Sequence, residues 1–175
     1  MGASNTGKSC VLKKLWELLP GEEVEVFSKG ARYNITGIKA GELNSFGMCT
    51  VGDVPNGDDG NSIQSGLALM VKKKCDVIIC ACHSREQFFK AIENLETTII
   101  NNTLANAGVT QENLSDIKNR IKTEYQIIGC GHFCDWNIEP LSITKSGKTN
   151  AEVGGVDLTE FSAISILNFL NSLNR

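Results

Sequence analysis

The run CDVIICAC, residues 75–82, sets an unbroken apolar and β-branched stretch near the middle of the chain. A strand with one face in water alternates apolar and polar residues, whereas a strand covered on both faces does not. The run therefore predicts a central strand whose sheet carries helices on both sides. Flanking segments can supply them. In KSCVLKKLWELL, residues 8–19, Val11, Leu12, Leu15, Trp16, Leu18 and Leu19 share one side of a helix, with Lys13 and Lys14 between them and Pro20-Gly21 as a stop. The spacing of Ile63, Leu67, Met70 and Val71 predicts a second helix. It runs to about Lys74, and Lys72, Lys73 and Lys74 sit where a helix C-terminus favours cations.

The stretch from Ser84 reads as helix up to a stop at Gly108, and another helix starts near Thr110 or Gln111, making a helical insert over residues 85–124. EVEVF, residues 23–27, alternates as a short strand, and residues 31–41 offer a second extended piece, either a hairpin partner or an irregular excursion. GMCTVGD, residues 47–53, reads as a strand that ends in the loop VPNGDDGNS. YQIIGCGHF, residues 125–133, predicts a further buried strand, followed by an irregular stretch to about Gly155. The last helix begins at Asp157, where Asp157 and Glu160 have capping-box spacing, and is expected to bury Phe161, Ile164, Leu167 and Leu170. Strands alternating with helices predict an α/β fold with a mostly parallel sheet flanked by helices. With 175 residues, 41% of them hydrophobic, a single domain spanning 1–175 is expected.

The net charge of -3 gives no footprint for sequence-independent nucleic-acid binding, which needs clustered Lys and Arg. The sequence shows neither a secretion signal nor an apolar run long enough to span a bilayer, so a cytoplasmic protein without membrane contact is expected. Its seven cysteines then read as reduced thiols. Cys80, Cys82 and His83 with Cys130, His132 and Cys134 resemble a zinc set only on paper. Neighbouring residues on a strand point to opposite faces, and buried cysteine is an ordinary small core residue. A protein partner or homo-oligomer is left open.

Chemistry enters at the N-terminus. Gly2, Ala3, Ser4, Asn5, Thr6, Gly7, Lys8 and Ser9 match G-x-x-x-x-G-K-[ST] without a mismatch, with Cys10 next in the first helical turn. Glycines let the backbone curl so that successive N–H groups face a phosphate, and the following helix adds its positive end. Lys8 would reach the β- and γ-phosphates of a nucleoside triphosphate, and the Ser9 hydroxyl would ligate magnesium. With the helix and strand pattern that follows, the sequence resembles the P-loop containing nucleoside triphosphate hydrolase superfamily. That resemblance implies a three-layer sandwich, ATP and Mg2+ as ligands, and an acidic residue on a neighbouring strand that holds the metal. Asp53 fits because it closes its strand at the carboxyl end, where ligands bind in open α/β sheets. Asp76 opens its strand and is expected to cap or turn the chain instead.

Asp58 and Asp59 follow Asp53 in the loop and read as solvated turn residues or as groups that position a water. His83, Ser84 and Arg85 leave the carboxyl end of the 75–82 run. The Arg85 guanidinium either stabilises charge on the transferring phosphoryl group or pairs with an acid such as Glu86. No Asn-Lys-x-Asp element is present to read guanine, which leaves ATP as the default. The leading expectation is Mg-dependent ATP hydrolysis or nucleotide-driven switching, with Lys8, Asp53 and Arg85 as the catalytic candidates and Ser9 and Asp53 on the metal. The alternatives are a small-molecule kinase, in which Lys118, Arg120 and Lys122 belong to a lid, and a non-catalytic nucleotide-binding regulatory subunit.

The resemblance also raises a difficulty, because the superfamily places a buried strand before the phosphate loop and this sequence has only Met1 there. Losing three or four buried side chains forfeits about 1.5–3 kcal/mol each. The expectation is therefore that the natural chain starts upstream and that the usual first strand is lacking here; the competing account puts EVEVF or a second chain in the slot.

Overall fold

The computed structural model describes residues 8–29, 35–42, 44–50, 63–82, 85–126, 152–153 and 156–173. Helix α1 (Lys8–Leu18) forms as the apolar spacing predicts, and Gly21, at φ +99°, turns the chain out of it. Three strands follow: β1 (Glu22–Lys29), β2 (Ile35–Ala40) and β3 (Ser45–Cys49). Helix α2 (Ile63–Lys72) leads to β4 (Val77–Cys80). The sheet order is β1-β2-β3-β4.

Among the described strands the sheet is mixed rather than mostly parallel. β1 pairs antiparallel with β2 and β2 antiparallel with β3, and β3 with β4 is the one parallel pair among them. Connection length explains the difference. A parallel return needs a crossover of about a dozen residues or more, and residues 41–44 are all that separate β2 from β3. Between β3 and β4 the chain has room for α2, and there the pair is parallel. β4 was expected to be central; among the described strands it is last in order, with its residues half-buried. The strand expected over residues 125–133 falls almost wholly outside the described residues. β3 and β4 hydrogen-bond directly, and EVEVF lies in β1 at the far end, so it does not occupy a slot between them.

Alternation along β3 and β4 sorts the core onto two faces. Phe46 and Met48 with Val77 and Ile79 pack against Leu12, Leu15, Trp16 and Leu19 of α1 and against Ala163 and Leu170 of the last helix. Ile78 and Cys80 turn the other way, toward Ile63, Leu67 and Val71 of α2 and, beyond them, Leu114, Ile117 and Ile121. Helices cover both faces, which accounts for the missing polar alternation in residues 77–80. The approach of α2 is close: a Cβ on Gly47 would stand 2.5 Å from Met70 Sδ and 3.0 Å from Cys75 Sγ.

The insert is not the pair of continuous helices that was expected. α3 (Arg85–Glu93) ends, a 3-10 turn spans Leu95–Thr97, and α4 (Asn102–Asn106) starts afresh. The Thr97 and Thr98 hydroxyls donate to the Asn94 and Leu95 carbonyls, and the Asn101 side chain accepts from Leu104 N at the start of α4. Local side-chain bonds of this kind compete with helix. Gly108 stops α4 at φ +78°, and Thr110 with Asn113 forms a reciprocal cap on the 3-10 turn that leads into α5 (Leu114–Glu124).

A short hairpin of β5 (Glu152–Val153) and β6 (Val156–Asp157) precedes α6 (Leu158–Leu173). Here the expected buried stripe is corrected. Phe161 and Ile164 are 49% and 42% exposed, while Ala163 and Leu170 are buried, with Ile166 and Leu167 packed beside them. Positions 163, 166, 167 and 170 form an i, i+3, i+4, i+7 stripe, and it is this stripe that meets α1.

Candidate functional site

β3 and β4 run parallel with Cys49 opposite Cys80, so both strands end at one edge of the sheet. Helix α1 begins at that edge. The Ser9 hydroxyl donates to the Thr50 carbonyl at 3.3 Å, immediately past the end of β3. Ala81 N donates to the Cys49 carbonyl at 2.9 Å, which carries the ladder one step further. Thr50 is fully buried, and Ser9 and Cys10 are half-buried. α2 starts at the same edge, since a Cβ on its Gly66 would lie 2.6 Å from Cys49 Sγ. α3 opens three residues after Cys82, with Arg85 as its first residue. The amino ends of α1 and α2 thus lie at the carboxyl edge, where a helix start favours an anion.

Of the predicted site residues, Ser9 and Cys10 are described in full, and Lys8 and Arg85 are described as the first residues of α1 and α3. Gly2, Ala3, Ser4, Asn5, Thr6 and Gly7 lie outside the described residues, as do Asp53, Asp58, Asp59, His83 and Ser84. Thr50 and Ile63 are the nearest described residues on either side of Asp53, and Thr50 lies at the edge just described.

The cysteines behave as core residues. Burial pushes the Cys80 thiol well above its ordinary range, and neighbouring Cys49 and Cys82 add to the effect. A thiol held neutral is a poor metal ligand. Among the described residues no group of three or more His, Cys, Asp or Glu side chains is placed to hold a metal. Cys130, His132 and Cys134 lie outside them.

The opposite edge of the sheet is built for structure. Asp76 accepts from Ser45 N at 2.8 Å and Ser45 Oγ at 2.7 Å, tying the starts of β3 and β4 together. The Ser45 hydroxyl, then the Ser45 amide, lowers the Asp76 pKa from its ordinary value. A shallow hollow lies nearby, lined by Lys74, Asp76, Arg120, Glu124 and Tyr125. Arg120 and Tyr125 in its wall are bonded within the fold: Arg120 donates to Glu124 and to the Val71 carbonyl, and the Tyr125 hydroxyl to the Cys75 carbonyl. Lys118 pairs with Glu96 at 3.0 Å and Lys122 with Glu93 at 2.8 Å. The three insert cations therefore join α5 to its neighbours.

Two features escaped the sequence reading. Lys74 takes φ +58° and closes α2, with its own N–H bonded to the Val71 carbonyl and Cys75 N to the Met70 carbonyl. Glycine or asparagine usually fills such a position, so nothing flagged a lysine there. Lys39 is 8% exposed, and its ammonium donates to the Trp16 carbonyl at 2.6 Å and the Leu19 carbonyl at 3.3 Å.

No protein-family model, curated protein or solved structure matches the chain. The site stands on its own geometry. No helix among the described residues is long and apolar enough to cross a membrane.

Proposed function

We propose that the chain binds ATP with Mg2+ at the carboxyl edge of β3 and β4, as a P-loop protein of the three-layer type, and uses it for hydrolysis or nucleotide-driven switching. One observation carries the reading: the helix that begins at the Lys8-Ser9 pair of the motif is fastened, through Ser9, to the carboxyl end of a parallel strand. A chance match to the motif has no reason to start a helix there.

The donor set suits the metal. With its proton given to the Thr50 carbonyl, the Ser9 oxygen keeps lone pairs for a hard cation, and Asp53, three residues further on, would supply the carboxylate. Magnesium would neutralise charge on the β- and γ-phosphates. Residues 2–7 would offer amides to those phosphates, Lys8 an ammonium, and Arg85 a guanidinium from the start of α3. Catalysis in such a site is positioning and electrostatics rather than covalent chemistry.

The test is MgATP binding by calorimetry with phosphate release measured in parallel, on the wild-type chain and on Lys8→Ala. Binding in the micromolar range by wild type, weakened at least tenfold in the variant, is the expected result. Equal affinity of the two proteins refutes the assignment. ADP formed only when an acceptor is added would redirect the reaction to a kinase, and binding without turnover would make the chain a switch.

A further inference from the structure

A buried ammonium must give up its water, and neutral packing of the same volume would avoid that cost. Lys39 is nonetheless placed beneath the last turn of α1. It gives hydrogen bonds to two carbonyls that the end of a helix leaves unpaired, and its nitrogen stands 5.2 Å from the centre of the Trp16 ring. The Trp16 indole N–H is held in turn by Glu23 of β1 at 2.9 Å. At its other end α1 is held by the Ser9 bond to Thr50. The helix is thus pinned to β2 at its last turn and to the end of β3 at its first.

We propose that Lys39 is a positioning residue for the start of the motif helix: by fixing the last turn of α1 against β2, it sets where Ser9 stands at the carboxyl edge. The functional half of this statement rests on the nucleotide reading above. The mechanical half rests on rigidity. The 11 residues of α1 make a rod about 16 Å long, and a rod released at one end shifts or tilts at the other. A packing role alone would explain an apolar residue at position 39. It does not explain a charge whose hydrogen-bond partners are Trp16, in the last turn of the motif's own helix, and Leu19, the residue just past its end.

The experiment compares the full wild-type chain with Lys39→Met, which keeps the stem and removes the charge, and Lys39→Gln, which keeps a donor without charge. Circular dichroism and thermal unfolding establish that each is folded. Backbone hydrogen exchange is read separately over the first turns of α1, residues 8–13, and over its last turn, residues 16–19; MgATP affinity is measured on the same samples. The expected result for Lys39→Met is faster exchange at both ends of α1 and MgATP binding weakened roughly tenfold, with Lys39→Gln between it and wild type. A local cap would loosen the last turn only. A folded Lys39→Met protein with wild-type exchange over residues 8–13, or with wild-type MgATP affinity, overturns the proposal and leaves the nucleotide reading intact. Wild-type protein that does not bind MgATP overturns the nucleotide reading, and the exchange pattern then decides the mechanical claim by itself. Should Lys39→Met not fold, Lys39→Gln carries both readouts, and wild-type behaviour in it counts against the proposal.

Discussion

Gly47→Ala perturbs the contact on which the geometry of the edge depends. The new methyl would lie 2.5 Å from Met70 Sδ and 2.8 Å from Met70 Cγ, closer than a carbon can stand, and 3.0 Å from Cys75 Sγ, tighter than ordinary contact. Met70 is 0% and Cys75 1% exposed, so neither can swing into solvent. Overpacking of this kind costs about 1–3 kcal/mol. Alanine returns about 0.5–1 kcal/mol through lower unfolded-chain entropy. The net loss is centred on about 1.3 kcal/mol and reaches about 2.5 kcal/mol at most, a fall in Tm of roughly 3–10 °C for a chain of this size. Urea unfolding followed by far-UV circular dichroism measures it, and the same substitution in a Met70→Ala background supplies the control. Removing the Met70 side chain removes its two close contacts, so alanine at position 47 should be close to neutral there. Gly47→Ala at or above wild-type stability, or an equal loss in both backgrounds, would refute the reasoning that α2 rests directly on β3.

Three further outcomes are expected. Asp76 has its pKa lowered by Ser45, so its contribution is present above the unfolded carboxyl pKa of about 3.9 and disappears as pH falls through the lower folded value; because the group is exposed, Asp76→Asn should cost only about 1 kcal/mol at pH 7, and that cost should shrink in urea titrations as the pH is lowered below about 3.9. Thr110→Ala removes one side of the reciprocal cap ahead of α5 and should lower stability by about 0.5–2 kcal/mol in the same assay, with Thr110→Ser restoring most of it. Arg120→Ala strips a half-buried side chain that holds Glu124 and the Val71 carbonyl; exchange should quicken at the C-terminal ends of α2 and α5, while exchange at the start of α1, and the MgATP affinity proposed above, stay within about twofold of wild type, since those contacts lie at the edge away from Ser9.

Elements with a strong period were legible from residue types alone. The spacing of Leu12, Leu15, Trp16 and Leu19 gave α1 and its buried side, and Val77–Cys80 gave a strand covered on both faces. Asp76 was expected to cap or turn the chain from its place at the start of a strand, and it instead ties the start of the neighbouring strand through Ser45. The 85–108 segment misled because its helix-forming residues outnumber Thr97, Thr98 and Asn101, whose side-chain bonds to nearby backbone end one helix and begin another. In α6 apolar residues occupy more than one side, so composition could not choose between the 161/164 stripe and the 163/166/167/170 stripe. Only the presence of α1 decides. Within the candidate site, the motif singled out Lys8 and Ser9 by their spacing, whereas the Thr50 carbonyl that Ser9 meets belongs to the backbone and carries no signature.

Sheet direction and the buried lysine share one cause. The four residues 41–44 between β2 and β3 force an antiparallel return, and with it the side-chain order Thr36, Gly37, Ile38, Lys39 is dealt to alternate faces. Thr36 and Ile38 turn toward α2, bonding Cys49 and joining Met70 and Cys75. Gly37 and Lys39 are left facing α1, where a Cβ on Gly37 would stand 3.2 Å from the Trp16 ring. Read without α1, Lys39 occupies the polar half of an alternating strand and belongs in water. With α1 in place, the same face is one that helix carbonyls reach, and the charge has partners there. The antiparallel half of the sheet thus holds the far end of the motif helix, and the parallel half receives its near end through Ser9. A mixed sheet accommodates the two attachments at opposite ends of a single helix.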